Sequence, residues 1–269
     1  MKIDEMNDIF NIHDRRSALD YILSMTQQCD KIVSLVQVGS GAMGYHDALS
    51  DLDFVVALDK DESMTEVMEY VHKKLAEKYE FLYFKQAEER HLQVYLLLNL
   101  LEIDIGYGGY EHAAAIKPAF RVLFDHSGVV EEKMTASRAW MDDAIYAGKR
   151  KKDVDFACDA VWAHLMHASA AIKRGKTLRA LGELAFVRDQ YLALVGDRCH
   201  LESNQNRELD DLPEEEKAAI RSTFVTGESQ KELQTSLLNL TKVIYRELKD
   251  AKIPVTEEML YEYYQKTEN

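Results

Sequence analysis

The chain is expected to fold as an α+β protein, with a mixed sheet and flanking helices in its first half and an all-helical bundle after it. Three observations predict this. Short β-branched or alternating runs, the signature of strands, occur only between residues 31 and 125. Beyond residue 130 strand patterning stops and helical periodicity takes over. Proline is scarce, with 3 residues in 269, so long helices meet few breaks. The change of texture divides the chain into 1–130 and 131–269, and a 46% hydrophobic content supplies cores for both.

The elements follow in order. Residues 14–29 put Leu19, Ile22, Leu23 and Met25 mostly on one helical face. Residues 31–38, KIVSLVQV, are short and β-branched and read as a buried strand that ends at Gly39-Ser40-Gly41. A second strand, LDFVVAL, covers 52–58. Residues 59–62 offer helix-start chemistry, and 63–78 turn Met64, Val67, Met68, Val71 and Leu75 inward. Further strands are expected at 80–85, 92–98, 101–106 and 120–125. In LEIDIG, Leu101, Ile103 and Ile105 face one way, Glu102 and Asp104 the other. Helices are then expected near 132–148, 153–174, 177–196, 213–222, 228–250 and 256–266, with Pro213 and Pro254 at two starts. Trp140 and Trp162 read as core or interface residues.

Composition narrows the partners. A net charge of −14 repels a phosphate backbone, so no nucleic-acid partner is expected. The basic run Lys149–Lys152 reads as a solvated helix end. Acidity suits a cationic small molecule. Cys29, Cys158 and Cys199 are odd in number and far apart, without metal or disulfide spacing, which fits a reducing cytoplasm. The opening MKIDEMNDIF lacks the apolar core of a signal peptide, and no run is apolar and long enough to span a bilayer.

The chemistry concentrates in VGSGAMGYHDALSDLDFVV, residues 38–56. Gly39 and Gly41 permit a tight turn and close backbone approach to a phosphate. Ser40 offers a hydroxyl and a backbone N–H to the same anion. Ser50 opens the acidic pair. Asp51 and Asp53 are two apart in extended chain, so their side chains leave one face. Two hard carboxylates there suit Mg2+, with substrate phosphates completing its shell. Asp104 stands on the polar face of a later strand; if that strand pairs beside the first pair, three carboxylates meet on one sheet face. Glu102 shares that face and is the alternative third acid.

This stretch resembles the signature of the nucleotidyltransferase superfamily that includes DNA polymerase β and the antibiotic nucleotidyltransferases. The matching residues are Gly39, Ser40, Gly44, Ser50, Asp51, Asp53 and Asp104. A head followed by a helical tail looks most like the aminoglycoside and lincosamide nucleotidyltransferases, which confer antibiotic resistance. In the tail, residues 174–194 are similar to a helix that lines the cleft between domains in those enzymes. The resemblance implies a metal site on Asp51, Asp53 and Asp104 and phosphate contacts at Gly39, Ser40, Gly41 and Ser50. It implies ATP or another nucleoside triphosphate as donor and a small hydroxylated acceptor. Glu183 and Asp189 become candidates for an acceptor ammonium or a general base, against a solvated helix face. Tyr107 and Tyr110, on a glycine-rich turn, become candidates to flank a substrate ring, against ordinary packing. His164 and His167, three apart on a helix, read as packing or exposed residues. Met43 departs from the family, which often carries Arg or Lys there; either Lys85, Arg90 or Arg188 substitutes, or nucleotide binding is weak. A protein-modifying nucleotidyltransferase and a non-catalytic nucleotide-binding module remain alternatives. Monomer and homodimer both stay open.

Overall fold

The structure, a computed structural model, describes residues 9–45, 47–115 and 119–268, without the side chains of 139–145 and 267–268. Most of the opening segment read for a targeting signal, and the Trp140 side chain, lie outside the described residues. The chain divides into two compact units between Met141 and Asp142.

The first unit opens with α1, Ile12–Gln27. Asn11 starts it through a capping box: its Oδ1 accepts from the backbone N–H of His13 and Asp14, and Asp14 answers by accepting from Asn11 N–H at 3.0 Å. β1 (Ile32–Val38) leads into a single short turn, α2 (Gly39–Ala42), and then β2 (Leu52–Leu58). α3 (Met64–Lys78) buries Val67, Met68, Val71 and Leu75, the stripe expected from its spacing. β3 (Phe81–Ala87), β4 (Leu92–Leu97), β5 (Glu102–Gly109) and β6 (Phe120–Asp125) complete the sheet.

The six strands run in the order β3-β4-β5-β2-β1-β6. β2 and β5 are parallel; the other neighbours are antiparallel. The chain between β2 and β5 contains α3 and the β3–β4 hairpin, the long crossover that a parallel pair requires. Each sheet face carries its own apolar cluster. On one, Leu35, Phe54, Val56, Ile103, Ile105 and Tyr95 pack with α1 and α3 residues. On the other, Val36, Ala57 and Ala115 pack with Val130 and Met134 from the start of the next helix. Period-two alternation divides each strand between these faces.

That helix, α4, runs without interruption from Val130 to Lys173. The expected break between 148 and 153 is absent. Gly148 and the basic run after it imitate a helix end, yet a glycine inside a helix costs only about 1 kcal/mol. The basic residues are also held. Lys149 pairs with Asp197 and Asp153, and Arg150 donates to Leu194 O at 2.6 Å. α5 (Thr177–Cys199), α6 (Glu214–Ser222), α7 (Gln230–Glu247) and α8 (Glu257–Glu268) complete the second unit. Its core joins Leu165, Leu184, Val187, Tyr191, Leu240, Ile244 and Leu260. Among the described residues, no helix is long and apolar enough to cross a membrane.

The turn from β6 into α4 is organised by Asp125. Its Oδ1 accepts from Ser127 N–H, Ser127 Oγ and Gly128 N–H, and its Oδ2 from Val130 N–H at 2.8 Å. Burial pushes this carboxyl up, but the hydrogen bonds from Ser127, Val130 and Glu131 outweigh it and hold the group below the usual aspartate value. Its stabilising contribution is therefore complete above the ordinary aspartate range, roughly pH 4, and is lost as pH falls through the lowered value. Asp125→Ala is expected to lower stability by about 1 kcal/mol near neutral pH, as loss of a helix cap does. In urea titrations the gap to the wild type should close as the pH drops below about 4; a gap that persists in acid would contradict this role.

Candidate functional site

β1 delivers the chain to Gly39, which takes a left-handed backbone at φ 63°. A side chain here would be strained, and its Cβ would collide with Oδ2 of Asp53. Glycine thus lets the first turn after β1 lie directly against the carboxylate of Asp53, the second residue of β2. Gly41 is constrained in the same way, since a Cβ there would overlap the buried side chain of Gln37. The turn is closed by Tyr45 N–H donating to Ser40 O at 3.0 Å. Ser40 Oγ is buried and meets no hydrogen-bond partner among the described residues. A buried, unsatisfied hydroxyl beside a glycine turn is what a phosphate-binding loop would present before its ligand arrives.

The expected strand pairing is present. β2 and β5 run parallel with Asp53 directly beside Asp104. Both carboxylates are half-buried on the sheet face opposite Phe54, Ile103 and Ile105. Asp51 precedes the first residue of β2 and is exposed. Glu102 is exposed too, one alternation away from Asp104 at the start of β5. Asp53 and Asp104 are therefore brought together, with Asp51 at the mouth of the same strand. Among the described residues, no three His, Cys, Asp or Glu side chains already converge as a metal-holding group. The oxygen-only donor set nonetheless suits a hard cation that brings phosphate oxygens with it.

Other candidates are placed elsewhere. Ser50 serves the turn: its Oγ donates to Asp47 Oδ1 at 3.2 Å. β5 continues to Gly109, so Tyr107 is a strand residue and not part of a glycine-rich turn. Alternation carries it to the core face with Ile103 and Ile105, at 7% exposure, where its hydroxyl donates to Gln93 Oε1. It does not join the carboxylates. Tyr110, just after the strand, lies under the Lys133 ammonium. In the second unit, Glu183 accepts from Arg179 Nε at 3.4 Å and sits 2.7 Å from His164 Nδ1, with His167 at 4.0 Å. The two histidines thus do find a carboxylate, on a neighbouring helix. Asp189 is exposed, and its offset along α5, about 600° of helical rotation at 100° per residue, turns it away from Glu183.

Met43 is 61% exposed. Of the cations considered as its substitute, Arg188 is committed to Thr223, donating to its carbonyl at 2.7 Å. Arg90 is exposed in the β3–β4 turn. Lys85 lies in the cross-strand row of Asp104, with Val94 between them. The cation that the motif does not reveal is Arg15. It projects from α1, is 5% exposed, and donates to Asp47 O at 2.9 Å and Ser50 O at 3.1 Å. Its guanidinium carbon stands 3.9 Å from the centre of the Tyr45 ring. The contact spans more than thirty residues, so no spacing rule finds it. The available signal is an arginine on the apolar stripe of α1, in line with Ala18 and Ile22.

Gly39→Ala tests the closeness of turn and carboxylate. The added methyl is expected to displace Asp53 and, with the strained φ, to cost about 1–3 kcal/mol. Thermal unfolding and a divalent-ion titration should both report the loss; a variant with unchanged stability and ion binding would contradict the geometry.

No protein-family model matches the chain, and no curated protein matches its sequence. Two solved nucleotidyltransferases resemble it in structure. One is an aminoglycoside 6-adenyltransferase from Bacillus subtilis, 12% identical, with TM-score 0.43, matched over 93% of this chain and 97% of that one. The other is a cytoplasmic RNA terminal U-transferase, 18% identical, with TM-score 0.29, matched over 71% of this chain and 48% of that one. Both likenesses are distant, and the functional reading rests on the residues of the site.

Proposed function

We propose that this chain is a magnesium-dependent nucleotidyltransferase. It moves the nucleoside monophosphate of a nucleoside triphosphate, ATP in the first instance, onto a hydroxyl of a small aminoglycoside- or lincosamide-like acceptor and releases pyrophosphate. The observation that carries the reading is the adjacent register of Asp53 and Asp104 beside the glycine turn at Gly39.

The chain's own residues divide the work. Asp51 and Asp53 hold the metal, and Ser40 with the backbone of the Gly39 turn receives the phosphates. Magnesium, when bound, offsets charge on the phosphates and on the attacking and leaving oxygens. As the acceptor oxygen bonds to the α-phosphorus, the bond from that phosphorus to the pyrophosphate oxygen breaks. Asp104 takes the acceptor's proton or completes the metal shell, and either role acts mainly on the transition state. The net charge of −14 favours a cationic acceptor.

Two sets of variants test this. Asp53→Asn is expected to fold normally and to abolish pyrophosphate release in a screen of aminoglycoside and lincosamide acceptors with ATP and GTP, read also by product mass. Asp104→Ala is expected to lower kcat by about a hundred- to ten-thousand-fold, the usual worth of a positioned base, with a smaller change in nucleotide affinity. Glu102→Ala supplies the control and should stay near wild type. Normal turnover in a folded Asp53→Asn protein would sink the assignment. Equal damage from Glu102→Ala would move the third carboxylate to Glu102.

A further inference from the structure

Arg15 is buried, and it places its charge against backbone carbonyls. Taking a guanidinium out of water is costly unless its donors find acceptors. The position lies in line with the buried Ala18 and Ile22, where apolar residues are the usual occupants. The acceptors found, Asp47 O and Ser50 O, lie on the stretch just before Asp51. Asp47 ties the same stretch from within, accepting from Leu49 N–H at 2.7 Å and from Ser50 Oγ.

The flat face of Arg15 is used as well. It stacks on Tyr45, a cation–π contact. Tyr45 holds a left-handed backbone at φ 58°, which costs a non-glycine residue about 1–2 kcal/mol and persists only where its surroundings over-determine it. Those surroundings are Arg15 on the ring and the Gln37 amide, which donates to the hydroxyl. Burial pushes the Tyr45 phenol up, the Arg15 charge and the Gln37 hydrogen bond pull it down, and the charges of Asp53 and Asp51 push it up again.

We propose that Arg15 is a positioning residue for the metal–nucleotide site: by gripping Asp47, Ser50 and Tyr45 it fixes Asp51 in line with Asp53. The proposal rests on the nucleotidyltransferase reading and deepens it. Arg15 acts through the chain it holds.

The test compares the wild type with Arg15→Met, Arg15→Lys and Asp53→Asn. Mn2+ is titrated in the presence of a non-hydrolysable ATP analogue, with free Mn2+ followed by electron paramagnetic resonance. Hydrogen exchange is followed in peptides covering residues 47–54, and melting curves report the fold. Arg15→Met is expected to weaken Mn2+ binding about 10–100-fold, the usual effect of removing a group that orients metal ligands. It should also speed exchange at 47–54. Arg15→Lys keeps the charge and a donor for the two carbonyls that Nη1 reaches, but not the planar face that stacks on Tyr45, so it should recover part of both. If Arg15→Met does not fold, the lysine variant carries the test, with Mn2+ binding several-fold weaker than wild type. Wild-type Mn2+ affinity and exchange in a folded Arg15 variant, with binding lost in Asp53→Asn, would overturn the proposal and leave the site reading standing. No analogue-dependent Mn2+ binding by the wild type would overturn both.

Discussion

The parallel pairing of β2 with β5 is the constraint on which the site depends. It sets Asp53 beside Asp104, on strands about 4.8 Å apart. Like charges directly across a sheet destabilise it unless a partner or a cation offsets them. Under the proposed function, a divalent cation would attract both carboxylates and bring phosphate oxygens to the same point. Inserting β5 next to β2 requires the crossover through α3 and the β3–β4 hairpin.

The surrounding structure makes this pair precise. On one face of the sheet the Leu35–Phe54–Ile103–Ile105 cluster fixes the strands, so a slip of register would send Asp53 and Asp104 into the core. From the end of β1, the glycine at 39 brings backbone against Asp53 without a Cβ in the way. From α1, Arg15 holds the chain just before Asp51. Three separate elements thus bear on one small region.

Much of this was legible in the sequence, for identifiable reasons. β2 and β6 end where expected because their apolar runs are short and sharply bounded. Asp53 and Asp104 could be matched because one follows a Gly-Ser turn at a telling interval and the other sits on the polar face of a clean alternation. The misreadings are equally physical. Gly148 and Lys149–Lys152 look like a helix end, but tertiary partners on α5 carry α4 through them. Tyr107 looked like a turn residue because Gly106, Gly108 and Gly109 surround it, yet strand pairing with β2 extends β5 past it to Gly109. Arg15 was invisible because its partners are distant in sequence and are backbone atoms, which leave no residue-type signature.

The most direct measurement is a crystal structure with Mn2+ and a non-hydrolysable nucleoside triphosphate, with the metal located by anomalous scattering. The account predicts an anomalous peak within coordination distance of Asp53 and shared with Asp51 or Asp104, with the triphosphate against the Gly39–Ser40 turn. Nucleotide bound elsewhere on the chain, with no manganese at Asp53, would contradict it.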